Sequence, residues 1–288
     1  MDQAVNVLIF GASGMLGNAI FRVLGEDAGY RVVATARGEH ARRLIPPSLA
    51  DHLLTGIDVN DPDALLRAFA RARPDVVINC VGLVKQVADA DDPLQAIPLN
   101  ALLPHRLARG CEACGARLVH VSTDCVFSGR RGGYTEADPP DADHLYGRSK
   151  LLGEVDAAHA ITLRTSIIGT ERGSARSLIG WFLAQSGTVR GYRQAIFSGL
   201  PTVELATVIR DHVLPRPDLC GLYHVAAAPI DKAALLRLVA QTYGKSITIE
   251  PSDAVVIDRS LDASRFRAAT GYVAPPWPEL VRRMHAFG

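Results

Sequence analysis

The sequence predicts an α/β fold, a doubly wound parallel sheet with a smaller, interleaved C-terminal lobe. Three observations lead there. Short runs rich in Val and Ile alternate with helical patterns over the first 166 residues, without the polar alternation of a half-exposed strand. A glycine-rich turn closes the first run and opens the first helical pattern. After about residue 167 the rhythm changes to helical stretches separated by Gly- and Pro-containing segments.

The elements follow in order. "VNVLIF" (5–10) and "YRVVATA" (30–36) read as strands, with "GNAIFRVLGEDA" as the helix between them. "DHLLTGI" (51–57) reads as the third strand. In the "DPDALLRAFARA" that follows, Asp61 caps a helix and Pro62 takes its first position. "DVVINCV" (75–81), "RLVHVS" (117–122) and "ITLRTS" (161–166) continue the series, each preceded by helix-like sequence. Repeated β-α-β units of this kind make a parallel sheet. Beyond them, "RGSARSLIGWFLAQSG" and "DKAALLRLVAQTYG" read as helices, "GLYHVA" (221–226) as one more strand, and "YVAPPWPELVRRMHAF" as a closing helix.

At 288 residues, 48% of them hydrophobic and 21% charged, the chain can bury a substantial core. A formal net charge of +1 leaves no basic surplus to draw a nucleic acid backbone. No apolar run approaches the ~18 residues of a membrane span. The start, "MDQAVNVLIFGASG", carries an acid and runs straight into the glycine turn, so it reads as a first strand and not as a signal peptide. A cytoplasmic protein is expected. Cys80, Cys111, Cys114, Cys125 and Cys220 are an odd number of thiols. Cys111 and Cys114 form a CxxC, but no second pair completes a zinc site, and no metal is expected.

"FGASGMLG" spaces Gly11, Gly14 and Gly17 as GxxGxxG between a strand and a helix. Gly11 permits a tight turn, Gly14 lets backbone approach a phosphate, and Gly17 lets the helix lie close to the sheet. With Ser13, the N–H groups around Met15 and Leu16 then face a pyrophosphate, helped by the helix dipole. A dinucleotide is the expected ligand. The second strand runs into Arg37, with no acid until Glu39. A guanidinium suits a 2′-phosphate, so NADP is expected ahead of NAD. Asp58 and Val59 follow the third strand, near where an adenine edge would lie. The expected division is a dinucleotide-binding domain over 1–166, to which strand 221–226 returns, and a mainly substrate-binding lobe over 167–288.

"HVSTDCVFSG" leaves Thr123 at the carboxyl edge of the sheet, where α/β sheets bind ligands. "YGRSK" sets Tyr146 and Lys150 four residues apart, one helical turn, on the next helix. A free tyrosine has a pKa near ~10. A nearby ammonium is expected to lower it, so that the phenol can give its proton to a carbonyl oxygen as hydride arrives.

The ordered set of glycine turn, Ser-Thr after a strand and YxxxK resembles the extended short-chain dehydrogenase/reductases, from residue 5 to about 225. Within them, "STDCVFSG", "GGYTEADPPDADHLYGRSKLLGE", "LRTSIIG" and "NALLPHRLA" are most similar to the dTDP-4-dehydrorhamnose reductase family. The resemblance implies a Rossmann-like fold and a Thr123–Tyr146–Lys150 triad. It also implies that Gly14 to Leu16, with Cys80, Val81 and Gly82 after the fourth strand, lie along the cofactor. The implied substrate is a nucleotide-activated 4-keto-6-deoxy sugar reduced at C4. Asp124, Cys125 and Ile167 are the expected substrate contacts beside Thr123. Family members commonly read STDYVF where this chain has Cys125, and the rhamnose enzymes carry Trp where it has Ile167.

Three rival readings share the fold. The 4,6-dehydratases follow their Thr-Asp with a Glu, where Cys125 stands here. A nucleotide-sugar epimerase, or an epimerase/reductase like the GDP-fucose synthases, would use Cys125 as a base. The NADP-binding regulatory subunit of methionine adenosyltransferase is a non-catalytic relative. The intact Thr-Tyr-Lys set argues for an enzyme against the last of these, and, because no partner acid is identifiable for Cys125 and buried thiols are usually inert, a plain reductase is expected. Oligomeric state stays open, with a homodimer as the candidate assembly.

Overall fold

Seven parallel strands form the centre of the molecule, described here from a computed structural model over residues 4–83, 91–171 and 177–288. The first six are β1 (Val5–Phe10), β2 (Tyr30–Thr35), β3 (Leu53–Leu54), β4 (Val76–Asn79), β5 (Arg117–Thr123) and β6 (Ala160–Thr165). Four short strands follow, β7 (Ile167–Ile168), β8 (Thr188–Tyr192), β9 (Ala195–Phe197) and β10 (Leu200–Pro201), before β11 (Gly221–His224) rejoins the large sheet beside β6. The order is β11-β6-β5-β4-β1-β2-β3. The strand order reverses between β1 and β4, where α/β sheets open a ligand crevice at their carboxyl ends.

Alternation of side chains explains why the strands carry no polar face. In β1, Val7 and Ile9 enter one apolar layer while Leu8 and Phe10 enter the other. The first layer packs under α1 (Met15–Gly25), and the second under α2 (Pro62–Ala72). Asp61 caps α2 as its sequence implies, accepting the Asp63 N–H at 2.9 Å.

The third strand is shorter than expected. Residues from Pro47 to His52 form 3₁₀ turns, and only Leu53 and Leu54 pair with Ala34 and Thr35. Gly56, at φ +72°, interrupts the ladder, and Ile57 N–H then returns to the Ala36 carbonyl at 3.2 Å, so the strand expected over 51–57 is reduced to two residues.

On the opposite layer lie a short α3 (Pro93–Ala96), a π-helical turn over Ile97–Leu102 and α4 (Leu103–Cys114). Next come α5 (Leu145–Leu152), α6 (Leu178–Ala184) and α7 (Thr202–Val208). The amino half of the segment expected as a helix before α6 falls outside the described residues. The chain ends with β12 (Ile230–Asp231), α8 (Lys232–Thr242), β13 (Thr248–Ser252), β14 (Ile257–Asp258), α9 (Ser264–Thr270) and α10 (Trp277–Phe287). The small strands pair among themselves, β12-β9-β14 and β13-β8, over the carboxyl side of the cleft. No described helix is long and apolar enough to cross a membrane.

Candidate active site

The glycine turn is built for close approach. Gly11 has φ +95°, and a Cβ there would meet the Cys80 carbonyl carbon at 3.1 Å. A Cβ on Gly17 would run into the Gly11 carbonyl oxygen, so α1 can sit this close only with glycine. Helix α1 starts after Gly14 with no side-chain cap and no acid in its first turn. Its amino end is therefore a ready anion site facing the cleft. That fits the pyrophosphate of a dinucleotide.

The turn after β4 forms the facing wall. Asn79 accepts the Val81 N–H at 3.0 Å, and Cys80 N–H donates to the Phe10 carbonyl at 3.0 Å. The next link is Asn100, inside the π-helical turn. Its Oδ1 accepts the Leu83 N–H at 2.8 Å, and its amide nitrogen donates to the Leu83 carbonyl and, at 3.2 Å, to Ser149 Oγ. Asn100 thus joins this turn to α5. Burial pushes the Cys80 thiol up to about 12, which leaves it inert as a nucleophile.

Helix α5 delivers Tyr146 and Lys150. His144 caps it, with Nδ1 accepting the Gly147 N–H at 2.9 Å, and its ring lies nearly parallel to that of Tyr146. Gly147 lets the helix approach the 3₁₀ turn after β5 (Asp124–Val126), because a Cβ there would collide with the Cys125 carbonyl oxygen. Lys150 Nζ donates to the Val121 carbonyl at 2.8 Å. Thr123 Oγ1 accepts the Cys125 N–H at 3.1 Å and donates to Asp124 at 3.2 Å.

Charge tuning differs from the sequence expectation. Burial raises the Tyr146 phenol above its ordinary range, helped by Cys125 and Asp124, while a hydrogen bond with Thr123 pulls the other way. Burial lowers Lys150 to about 8, against opposing pulls from Glu154 and Cys80. Desolvation therefore sets the direction of both shifts, and the expected lowering of the phenol by the ammonium is not seen. The phenol stands protonated, the state required of an acid.

These groups line one cleft of about 450 Å³. Of the sequence-predicted residues, Gly14, Met15, Leu16, Cys80, Val81 and Gly82 line it. Thr123, Asp124, Cys125, Tyr146, Lys150 and Ile167 line it as well. Ser13 lines an adjoining cavity that shares Gly14 and Met15. Gly11 and Gly17 lie beneath the turn. Arg37 and Asp58 are exposed, outside the cleft lining, where the chain leaves β2 and β3. Asp58 accepts the Asn60 N–H, and Glu39 is engaged by Arg42 and Thr55.

Sequence reasoning missed several lining residues. Lys232, Ile257 and Arg259 reach the cleft from the C-terminal third. They carry no local motif, and only the small sheets bring them there. Asn100 had a signal, a polar residue amid apolar helical sequence. In the CxxC, Cys114 donates weakly to the Cys111 carbonyl at 3.6 Å, and no group of three or more metal-ligating side chains occurs among the described residues.

A family model described as the RmlD substrate binding domain matches residues 5–285. The chain belongs to this family. Among its relatives, a probable low-salt glycan biosynthesis reductase of Haloferax volcanii is 28% identical over 273 residues, covering 91% of this chain and 85% of the relative. A dTDP-4-dehydrorhamnose reductase of Mycolicibacterium smegmatis is 35% identical over 157 residues, 53% of this chain and 41% of that protein. The crystal structure of dTDP-4-dehydrorhamnose reductase from Bacillus anthracis in complex with NADP shares the fold. Its TM-score is 0.81 at 21% identity, over 99% of this chain and all of that one.

Proposed function

We propose that the protein is an NADP-dependent reductase of a nucleotide-activated 4-keto-6-deoxy sugar, with Tyr146 supplying the proton to the C4 oxygen. One observation carries the reading: Thr123, Tyr146 and Lys150 meet in a single cleft with the uncapped amino end of α1. NADPH supplies hydride when bound there. The chain's own residues supply the rest. Tyr146, kept protonated by burial, gives its proton to the oxygen that is becoming an alkoxide. Thr123, anchored by the Cys125 amide, hydrogen-bonds the same oxygen. Lys150, one turn on, stabilises the phenolate left behind.

Arg37 is assigned to the 2′-phosphate and Asp58 with Val59 to the adenine edge. Asp124, Cys125 and Ile167 are assigned to the sugar. In this reading residues 1–166 hold the cofactor, with β11 returned to their sheet, and 167–288 mainly hold the substrate. The names of the relatives, reductases of glycan and dTDP-sugar synthesis, support the substrate class. The enzyme is assigned to the cytoplasm. The test is turnover of a panel of dTDP- and UDP-linked 4-keto-6-deoxy sugars, followed by NADPH oxidation. Reduction of at least one at C4 is expected. Retention of tightly held NAD, with epimerisation and no net NADPH use, would overturn it.

A further inference from the structure

Asn79 and His120 stand directly opposite each other on the paired strands β4 and β5, and both are fully buried. The Asn79 carboxamide oxygen accepts the Val81 N–H at 3.0 Å, so its amino group points the other way. There it meets His120 Nδ1 at 3.2 Å. An amide nitrogen offers no lone pair, so Nδ1 must be the acceptor and the ring proton must sit on Nε2, which has no partner among the described residues. Burial, with Lys150 and His105 nearby, holds the imidazole well below its ordinary range, which keeps it neutral and Nδ1 open.

We propose that His120 is a positioning residue for the cofactor. Its neutral Nδ1 fixes which way the Asn79 amide faces, and the amide in turn fixes the Cys80–Gly82 turn, which lines the cleft together with Gly14. Among the described residues the turn is held at three backbone N–H groups. Cys80 N–H is tied to Phe10 and Leu83 N–H to Asn100, and between them the Val81 N–H relies on Asn79. Reversal of the amide would set donor against donor at Val81. A polar ring buried completely, two residues before Ser122, would otherwise be a poor choice for the middle of a central strand.

The inference rests on the NADP reading, and the experiment separates the two. Dissociation constants for NADPH and NADH are measured by fluorescence titration, with kcat at saturating NADPH and a thermal melt. The proteins are the native chain, His120→Leu, His120→Gln, Asn79→Ala and the double variant His120→Leu/Asn79→Ala. His120→Leu is expected to weaken both cofactors roughly tenfold, the scale of one buried hydrogen bond, with kcat within about twofold of native. His120→Gln, whose carbonyl oxygen can accept the same amide hydrogen, restores most of the affinity. Asn79→Ala loses at least as much as His120→Leu, and adding His120→Leu to it costs nothing further. Native affinity in His120→Leu or in Asn79→Ala, or equal losses in His120→Leu and His120→Gln, overturns the proposal, as does full additivity in the double variant. If His120→Leu does not fold, His120→Gln at native affinity with Asn79→Ala weakened supports it, and the reverse sinks it. A native protein that binds neither cofactor refutes the NADP reading instead.

Discussion

Replacing Lys150 by Met should flatten one limb of the protein's stability against pH. Lys150 is 5% exposed, and burial lowers it from 10.5 to about 8. Below pH 8 both folded and unfolded chains carry the ammonium, and the folded chain bears its desolvation. Between pH 8 and 10.5 the folded chain gives up the proton while the unfolded chain keeps it. The unfolded state then binds more protons, so stability rises with pH across that window. The depressed lysine corresponds to on the order of 3 kcal/mol, recovered fully only above pH 10.5. Cys80 and Tyr146 are raised by burial and work in the opposite direction, so the native curve alone would mislead. The difference between native and Lys150→Met removes most of their contribution. Urea unfolding at half-unit steps from pH 7 to 10.5 measures it. The stability of native relative to variant should climb steadily from pH 8. A difference that stays level across the range would refute the reasoning, because it would mean that the buried ammonium is not depressed.

Tyr146→Phe should leave NADPH affinity unchanged in a fluorescence titration while reduction falls roughly 10²–10⁴-fold, the scale of lost acid catalysis. Arg37→Ala should weaken NADPH by about 1.5–3 kcal/mol and leave NADH nearly untouched, and equal losses would give Arg37 another role. Reduction in D₂O with unlabelled NADPH should put no deuterium on sugar carbons, and Cys125→Ala should keep most of the activity. Label at C3 or C5 that disappears in Cys125→Ala would instead make Cys125 a base for epimerisation.

What was legible in the sequence was local. A glycine turn, a cap such as Asp61 and a YxxxK spacing are each written within a dozen residues, and each appears where the pattern put it. The central strands were equally plain, because burial on both faces leaves an unbroken apolar run. The third strand was not, since an apolar stretch at a sheet edge pairs only as far as its neighbour and its own Gly56 allow. Residues joined by register were also hidden. Nothing near Asn79 announces His120, 41 positions away, until β4 and β5 are aligned.

Tyr146 and Lys150 expose a different limit. Spacing of four residues guarantees that two side chains share a helix face, but it does not settle the sign of a pKa shift. That sign depends on how much water each group loses. Here both lose most of it, so the neutral form of each is favoured, phenol raised and ammonium lowered. The pair is thereby left with a proton on the group that must donate one. An exposed pair at the same spacing would do the opposite, the ammonium drawing the phenol down in high dielectric by a small amount. Acid chemistry at this site is therefore a property of the cleft that buries the two residues, assembled by β5, the turn after β4 and the C-terminal strands, more than of the motif that first drew attention to them.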